Sequence, residues 1–272
     1  MGKQAMTEMQ MAGGKILARS ASGVGRVVFN QPEKRNAMSI AMWDGMAEAL
    51  DAFEADASIR CVVLEGAGGK AFVSGADISQ FEQNRSDADA QRQYNIKTSH
   101  GRKKLAEFPK PVIAKIQGFC MGGGMGIAMS CDMRIAGEGS EFGIPAARLG
   151  IAYGFDMVSN LVALVGPAHA HFILMTGGRL PATEAERMGL INRLVPASAL
   201  DAEVDSITAT IAQNAPLSLL ANKRTVRAVL ADPATRDMAA IAAAQDACFD
   251  SADYREGRHA FMEKRRPAFT GS

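Results

Sequence analysis

Apolar and polar residues alternate in places over positions 15–20 and 25–30, with Ser22-Gly23 between them, which predicts a β-hairpin. Pro32 then stops the second strand, because proline has no N–H to donate to a ladder. Ser39 stands just before a segment in which Met42, Met46, Ala49, Leu50 and Phe53 share one face at helical spacing, so a Ser-capped helix is predicted over 40–55. Cys61-Val62-Val63-Leu64 is apolar at every position and is closed by Gly66, Gly68 and Gly69. A run of that kind reads as a strand covered on both faces. Residues 71–78 are read as a loop after a strand-like segment. A polar helix is expected over 87–107, broken by Pro109-Lys110-Pro111.

Val112-Ile113-Ala114-Lys115-Ile116 and Met133-Arg134-Ile135-Ala136 are further core strands, and Gly122-Gly123-Gly124 leads into an apolar helix over 125–130. Alternating strands and helices imply βαβ units with right-handed crossovers. Beyond about residue 165 the pattern turns almost wholly helical. Thr183-x-x-Glu186 has the form of a capping box, and Asp253-x-x-Glu256 is read as opening a last helix from 254 to about 266. Residues 1–14 are polar and Met-rich and lack an apolar stretch, so they are read as a ragged tail and not a signal peptide. Residues 15–200 then form an α/β core, with 201–272 a helical region packed against it.

Composition narrows the partners. The 272 residues are 47% apolar and 22% charged, which excludes a disordered chain. Lys plus Arg number 30 against 29 Asp plus Glu, a net charge of +1, so no broad basic field draws in nucleic acid or an anionic membrane. The apolar run 113–135 is interrupted by Lys115, Gln117, Asp132 and Arg134 and does not span a bilayer as a helix. Cys61, Cys120, Cys131 and Cys248 form no CxxC pair, and none has a His at zinc-ligand spacing, so no structural metal and no metal cofactor are expected. Each cysteine lies in an apolar run. Reduced cysteines of this kind suit a cytoplasmic protein.

Two loops carry the candidate chemistry: Ser74-Gly75-Ala76-Asp77-Ile78, and Gly122-Gly123-Gly124 between a strand and a helix. Glycines let backbone approach a ligand, and a helix N-terminus offers unpaired N–H groups, so such a place suits a phosphate or a developing oxyanion. Tight turning and close helix packing explain the same glycines. The triplet is neither a dinucleotide-binding GxGxxG nor a P-loop, since no GK[ST] follows.

Taken together, Pro32-Glu33-Lys34-Arg35-Asn36-Ala37-Met38, Ala71-Phe72-Val73-Ser74-Gly75-Ala76-Asp77-Ile78, Lys110-Pro111-Val112-Ile113-Ala114, Gly122-Gly123-Gly124, Cys131-Asp132 and Phe142-Gly143-Ile144-Pro145 closely resemble the enoyl-CoA hydratase/isomerase family, the crotonases. The resemblance runs from about residue 15 to the C-terminus. It implies a spiral of repeated ββα units with a C-terminal helical trimerisation region, a homotrimer or dimer of trimers, and an acyl-CoA thioester as substrate with no separate cofactor. It implies an oxyanion hole from the N–H groups of Ala76 and Gly123. Lys34, Arg35, Ala37, Ser74, Ala76, Asp77, Ile78 and Gly122 would line the CoA path. Phe261 and Lys264 would cover the adenosine from the same or a neighbouring subunit.

The pattern fails where hydratases of that family carry their two glutamates. Those positions are Gly126 and Ala146 here, and the aspartate of another branch falls on Gly154. None of these can transfer a proton, a contribution worth about 10²–10⁴-fold. Tyr153 takes the position at which a decarboxylase branch places a tyrosine. Arg148, Asp156 and His100 are weaker candidates near the site. The leading expectation is an enzyme that stabilises a thioester enolate. The alternatives are a carboxyacyl-CoA decarboxylase and a catalytically weak CoA-thioester-binding or scaffold protein.

Overall fold

A computed structural model describes residues 7–77 and 87–272. The expected hairpin is strands β2 (Ile16–Ala21) and β3 (Val24–Phe29), but it has a third member. Thr7–Met11 forms strand β1, antiparallel to β2 with Met11 opposite Ile16, so the ragged tail expected over 1–14 is ordered from Thr7 onward. Met9 and Met11 are two positions apart and therefore point to one face, where both pack on the main core. Helix α1 (Ile40–Ala55) starts as predicted, with the Ser39 side chain accepting from the Met42 N–H.

From there the chain winds in repeating turns. The first turn is β4 (Cys61–Gly66), β5 (Ala71–Val73) and α2 (Ala88–Glu107). The second is β6 (Val112–Ile116), β7 (Phe119–Met121) and α3 (Gly123–Ser130). The third is β8 (Met133–Gly137), β9 (Glu141–Gly143) and α4 (Phe155–Thr176). Each turn gives its first strand to one sheet and its second to another. The larger sheet runs β1-β2-β3-β4-β6-β8-β11, parallel from β3 onward, where β11 is Arg193–Val195. The smaller runs β10-β9-β7-β5, with β10 the short Leu180–Pro181. This is the spiral α/β architecture of repeated ββα units.

Two cores explain why the central strands are apolar throughout. Val62, Leu64, Val112 and Ala114 face the main core, while Cys61, Val63 and Ile113 face a second one closed by Leu200, Val204 and Ile211 of α6 (Leu200–Ala212). Arg134 is buried within this layer, and its guanidinium donates to the carbonyls of Leu190, Ala128 and Cys131. It thereby satisfies carbonyls at the end of α3.

The C-terminal region adds α5 (Ala182–Arg187), α7 (Pro216–Leu230), α8 (Met238–Asp250) and α9 (Ala252–Met262). Both capping signatures expected there are corrected. Thr183 lies inside α5, which starts from Pro181 without a side-chain cap, and Glu186 instead accepts from the Leu194 N–H at 3.0 Å. Helix α9 is capped by Ser251 and ends at Met262. Asp253 is buried and takes the N–H groups of Thr270 and Gly271 at 2.7 and 2.9 Å, so it anchors the tail rather than opening the helix.

Helix α4 is long and apolar enough to cross a bilayer by length and composition. It is broken at Gly166-Pro167, where Gly166 has φ +72°, and Leu161, Val165, Ala170 and Ile173 bury into the protein. Met157, Leu164 and Leu174 pack partly buried on the main core, whereas Phe155, Val162, Phe172 and Met175 are exposed, as is the nearby Leu149.

Candidate active site

The loop at 31–38 is built around Asn36. This side chain is fully buried: Oδ1 accepts from the Gln31 N–H at 3.0 Å, and Nδ2 donates to the Ala67 and Ala71 carbonyls at 3.0 and 2.8 Å. Its backbone is left-handed (φ +57°), a conformation that asparagine tolerates better than most residues. Asn36 therefore ties the loop to the ends of β4 and β5. The sequence motif contained it, but its role becomes visible only through these bonds.

That loop positions the next one. The Met38 N–H donates to the Gly75 carbonyl at 2.8 Å, and the Asp77 N–H donates to the Met38 carbonyl at 3.0 Å. Ala76 lies between these two bonds, paired with Met38 in a single parallel bridge. Its own N–H has no hydrogen-bond partner among the described residues. Gly75 takes φ +126°, which a side chain would strain.

The second loop comes in beside the first. Helix α3 begins at Gly123 and not at 125, and the Gly123 N–H also lacks a partner among the described residues. A Cβ on Gly123 would lie 3.7 Å from the Gly75 carbonyl carbon and 3.8 Å from the Ala76 nitrogen. The start of α3 and the Ala76 amide thus border one small space. Gly124 makes that approach possible, because a Cβ there would lie 2.1 Å from the Val73 carbonyl oxygen. The N-terminus of α3 adds the positive end of its dipole.

The wall around this space is largely apolar. A Cβ on Gly122 would lie 3.3 Å from the Tyr153 hydroxyl, which brings that hydroxyl over the glycine triplet. A Cβ on Gly126 would meet the Met157 thioether, with Sδ at 3.5 Å and Cε at 3.6 Å. Ala146 is buried, and its carbonyl accepts from the Ile151 N–H at 3.0 Å. Met157 was not singled out in the sequence, since nothing local marks its approach to Gly126.

The remaining candidates divide. Lys34 donates to Asp77 at 2.9 Å, and Asp77 is only 8% exposed, so its carboxylate holds Lys34. The Ser74 N–H donates to the Arg35 carbonyl at 3.1 Å and the Ala37 N–H to the Lys34 carbonyl at 3.1 Å, which keeps these residues in one cluster. Arg35 stacks its guanidinium over Phe119, 5.1 Å from the ring centre. Ile78 lies outside the described residues. His100 and Asp156 are exposed, and the exposed Arg148 packs where a Cβ on Gly177 would touch its Cγ at 3.2 Å. Phe261 lines a cavity of about 490 Å³ among α7, α8, α9 and the C-terminal tail, whose lining includes no residue of the 34–38, 74–77 or 122–126 segments. Lys264 follows α9 in a left-handed conformation.

No cysteine can act as nucleophile beside the loops. Burial pushes the Cys120 thiol far above its ordinary range and Cys131 up to about 12, so both stay protonated. Among the described residues no group of three or more His, Cys, Asp or Glu could hold a metal ion.

Comparison with known proteins identifies the family and the fold. The enoyl-CoA hydratase/isomerase family profile matches residues 19–272. A short-chain-enoyl-CoA hydratase of Clostridium acetobutylicum is 34% identical over 251 residues, 92% of this chain and 95% of that protein. A crotonyl-CoA hydratase of Syntrophomonas wolfei is also 34% identical, over 95% of this chain and 99% of its own. The crystal structure of an enoyl-CoA hydratase/carnithine racemase from Magnetospirillum magneticum superposes with a TM-score of 0.89 at 36% identity, covering 95% of this chain and 96% of that one.

Proposed function

Because the chain belongs to the enoyl-CoA hydratase/isomerase family, we propose that it transforms an acyl-CoA thioester by holding the thioester oxygen on the amides of Ala76 and Gly123 while that oxygen gains charge. The observation that carries this reading is the pair of amides, without partners among the described residues, around one space, with the Gly123 Cβ position 3.8 Å from the Ala76 nitrogen. An enolate forms when electrons flow from the α-carbon onto the carbonyl oxygen. Two fixed donors in a water-poor site stabilise it, and one such donor is typically worth about 2.7–4 kcal/mol. Lys34, Arg35, Ala37, Ser74, Asp77, Ile78 and Gly122 are the residues we assign to the CoA side of the site, with Asp77 acting through Lys34.

Proton handling separates this chain from a two-glutamate hydratase. Gly126 and Ala146 bring no carboxylate, and the Gly126 side of the wall is filled by Met157. That observation favours a second reading, decarboxylation of a carboxyacyl-CoA. There the bond between the α-carbon and the carboxylate breaks, its electron pair forms the enolate, and CO₂ departs without a general base. A proton then returns to the α-carbon, from water or by way of the Tyr153 hydroxyl.

The exposed apolar side chains Leu149, Phe155, Phe172 and Met175, together with Val226, Val229 and Leu230 on α7, are the surface we assign to contacts between copies in a trimer or dimer of trimers. In that assembly Phe261 and Lys264 would act on a neighbouring subunit's adenosine, since within one chain Phe261 lines a separate cavity. Light scattering at micromolar concentration tests this, and a monomer would overturn it.

The functional test is incubation with unsaturated and carboxylated acyl-CoAs followed by mass spectrometry. Gain of water from crotonyl-CoA identifies a hydratase, and loss of CO₂ from a carboxyacyl-CoA identifies a decarboxylase. Binding without turnover would overturn the catalytic reading in favour of a CoA-thioester-binding protein.

A further inference from the structure

The face of α3 that carries Gly126, with its N-cap Gly122, meets Tyr153 just before α4 and Met157 in the first turn of α4, and the contacts fall in two rungs. The first is Gly122 with the Tyr153 hydroxyl, and the second is Gly126 with the Met157 thioether. Gly122 and Gly126 are one helical turn apart, joined by the Gly126 N–H to the Gly122 carbonyl at 3.2 Å. Residues 153 and 157 are likewise four apart. One turn rises about 5.4 Å. A thioester oxygen held at Ala76 and Gly123 would sit beside the first rung, and an acyl chain laid along this face would reach the second a few bonds beyond the carbonyl.

From this spacing we infer that Met157 sets the acyl-chain specificity of the site, closing it to long or branched acyl groups. The inference rests on the acyl-CoA reading given above. Met157 is partly buried and packs on the main core behind it, so its thioether is backed by protein and not by open solvent. It lies within 3.6 Å of where the Cβ of a residue at 126 would sit, so it borders the space that a side chain there would enter. A thioether neither takes nor gives a proton. Its effect is therefore on which acyl group fits, while the tyrosine one rung away provides the polar group. Methionine is unbranched and flexible, so it admits small variation in a short acyl group.

Isothermal titration of the full chain with CoA, butyryl-CoA and octanoyl-CoA tests this, using Met157→Ala and Met157→Phe beside the wild type. Each buried methylene contributes about fourfold in affinity, and truncating methionine to alanine frees room for about two methylenes, so Met157→Ala should raise the octanoyl-to-butyryl affinity ratio by about 16-fold. Met157→Phe should lower that ratio. Affinity for CoA alone should stay within twofold in both variants, and far-ultraviolet circular dichroism reports that each is folded. An unchanged ratio in either folded variant overturns the assignment of Met157 while leaving the acyl-CoA reading intact. Failure of the wild type to bind CoA and both thioesters overturns the acyl-CoA reading itself, and the Met157 assignment with it.

Discussion

Placing a methyl group on Gly123 separates the chemistry of the glycine triplet from its packing. Gly123 has no left-handed φ, and its Cβ would meet Gly75 and Ala76 at 3.7–3.8 Å, which is ordinary van der Waals contact. Gly123→Ala should therefore fold, with a melting temperature equal to or slightly above wild type, since alanine restricts the unfolded chain. The same methyl stands at the edge of the gap between the two amides. An oxygen accepting at about 2.9 Å from both nitrogens has to share that gap with it. Loss of one oxyanion donor costs about 2.7–4 kcal/mol, so kcat should fall by about 10²–10³ with a smaller change in KM. Gly124→Ala is the packing control. Its Cβ would lie 2.1 Å from the Val73 carbonyl oxygen, so that variant should be strongly destabilised or fail to fold. The assay is steady-state turnover of whichever acyl-CoA the panel identifies, paired with thermal melts. Gly123→Ala with full kcat and an unchanged melting temperature would refute the reasoning that this amide holds the thioester oxygen.

Three further outcomes follow from particular contacts. Tyr153→Phe removes a hydroxyl 3.3 Å from the Gly122 Cβ position; kcat should fall at least about tenfold, or 1.4 kcal/mol, with little change in melting temperature, whereas an unchanged rate with reduced stability would make the tyrosine a packing residue. Asn36→Ala removes three buried hydrogen bonds and should cost about 3 kcal/mol in urea unfolding, because the Gln31 N–H and the Ala67 and Ala71 carbonyls lose their partner; a cost below about 1 kcal/mol would show the loop held by other contacts. The Glu256 carboxyl is lowered from its ordinary 4.5 to about 2 by Arg265 and by the Ala268 N–H. A depressed carboxylate contributes stability above its unfolded value and loses it as pH falls through the folded one. Hydrogen exchange of the tail after α9 should therefore accelerate between pH 4.5 and about 2 beyond the intrinsic pH trend, and exchange that follows that trend alone would leave Glu256 no role in holding it.

What the sequence revealed depended on element length and on whether a signal is local. The strands β4, β6 and β8 are legible because four of their five or six residues are buried, and α1 because its apolar face repeats over four turns behind a serine cap. The three strands of the smaller sheet that follow them, Ala71–Val73, Phe119–Met121 and Glu141–Gly143, have three residues each. Three residues do not establish a period, so the second sheet was not visible even though its loops were. Strand β1 was missed for a related reason, since the alternation of Met9 and Met11 is too brief to stand out in a polar segment. The two misplaced caps show that a matching tetrapeptide does not fix its own use: Glu186 and Asp253 both bind distant backbone amides. In the site, the family motif brought the Ala76 and Gly123 loops forward together. Met157 could not be found that way, because its place depends on how α4 crosses α3.

The proposed division of labour within the site separates backbone chemistry from side-chain chemistry. Ala76 and Gly123 contribute backbone amides, which survive side-chain substitution as long as the Met38 bridge and the close approach of Gly124 to Val73 are kept. The wall formed by residues 126, 146, 153 and 157 is under no such constraint. A side chain at 126 would start in ordinary van der Waals contact with Met157, its Cβ 3.5 Å from the Met157 sulfur. A Gly126→Glu change alone would therefore set a charged group beside an apolar thioether. On the proposed reading, the amide pair would lower the barrier to any reaction that places charge on the thioester oxygen, whereas the wall would decide which bond to the α-carbon can break.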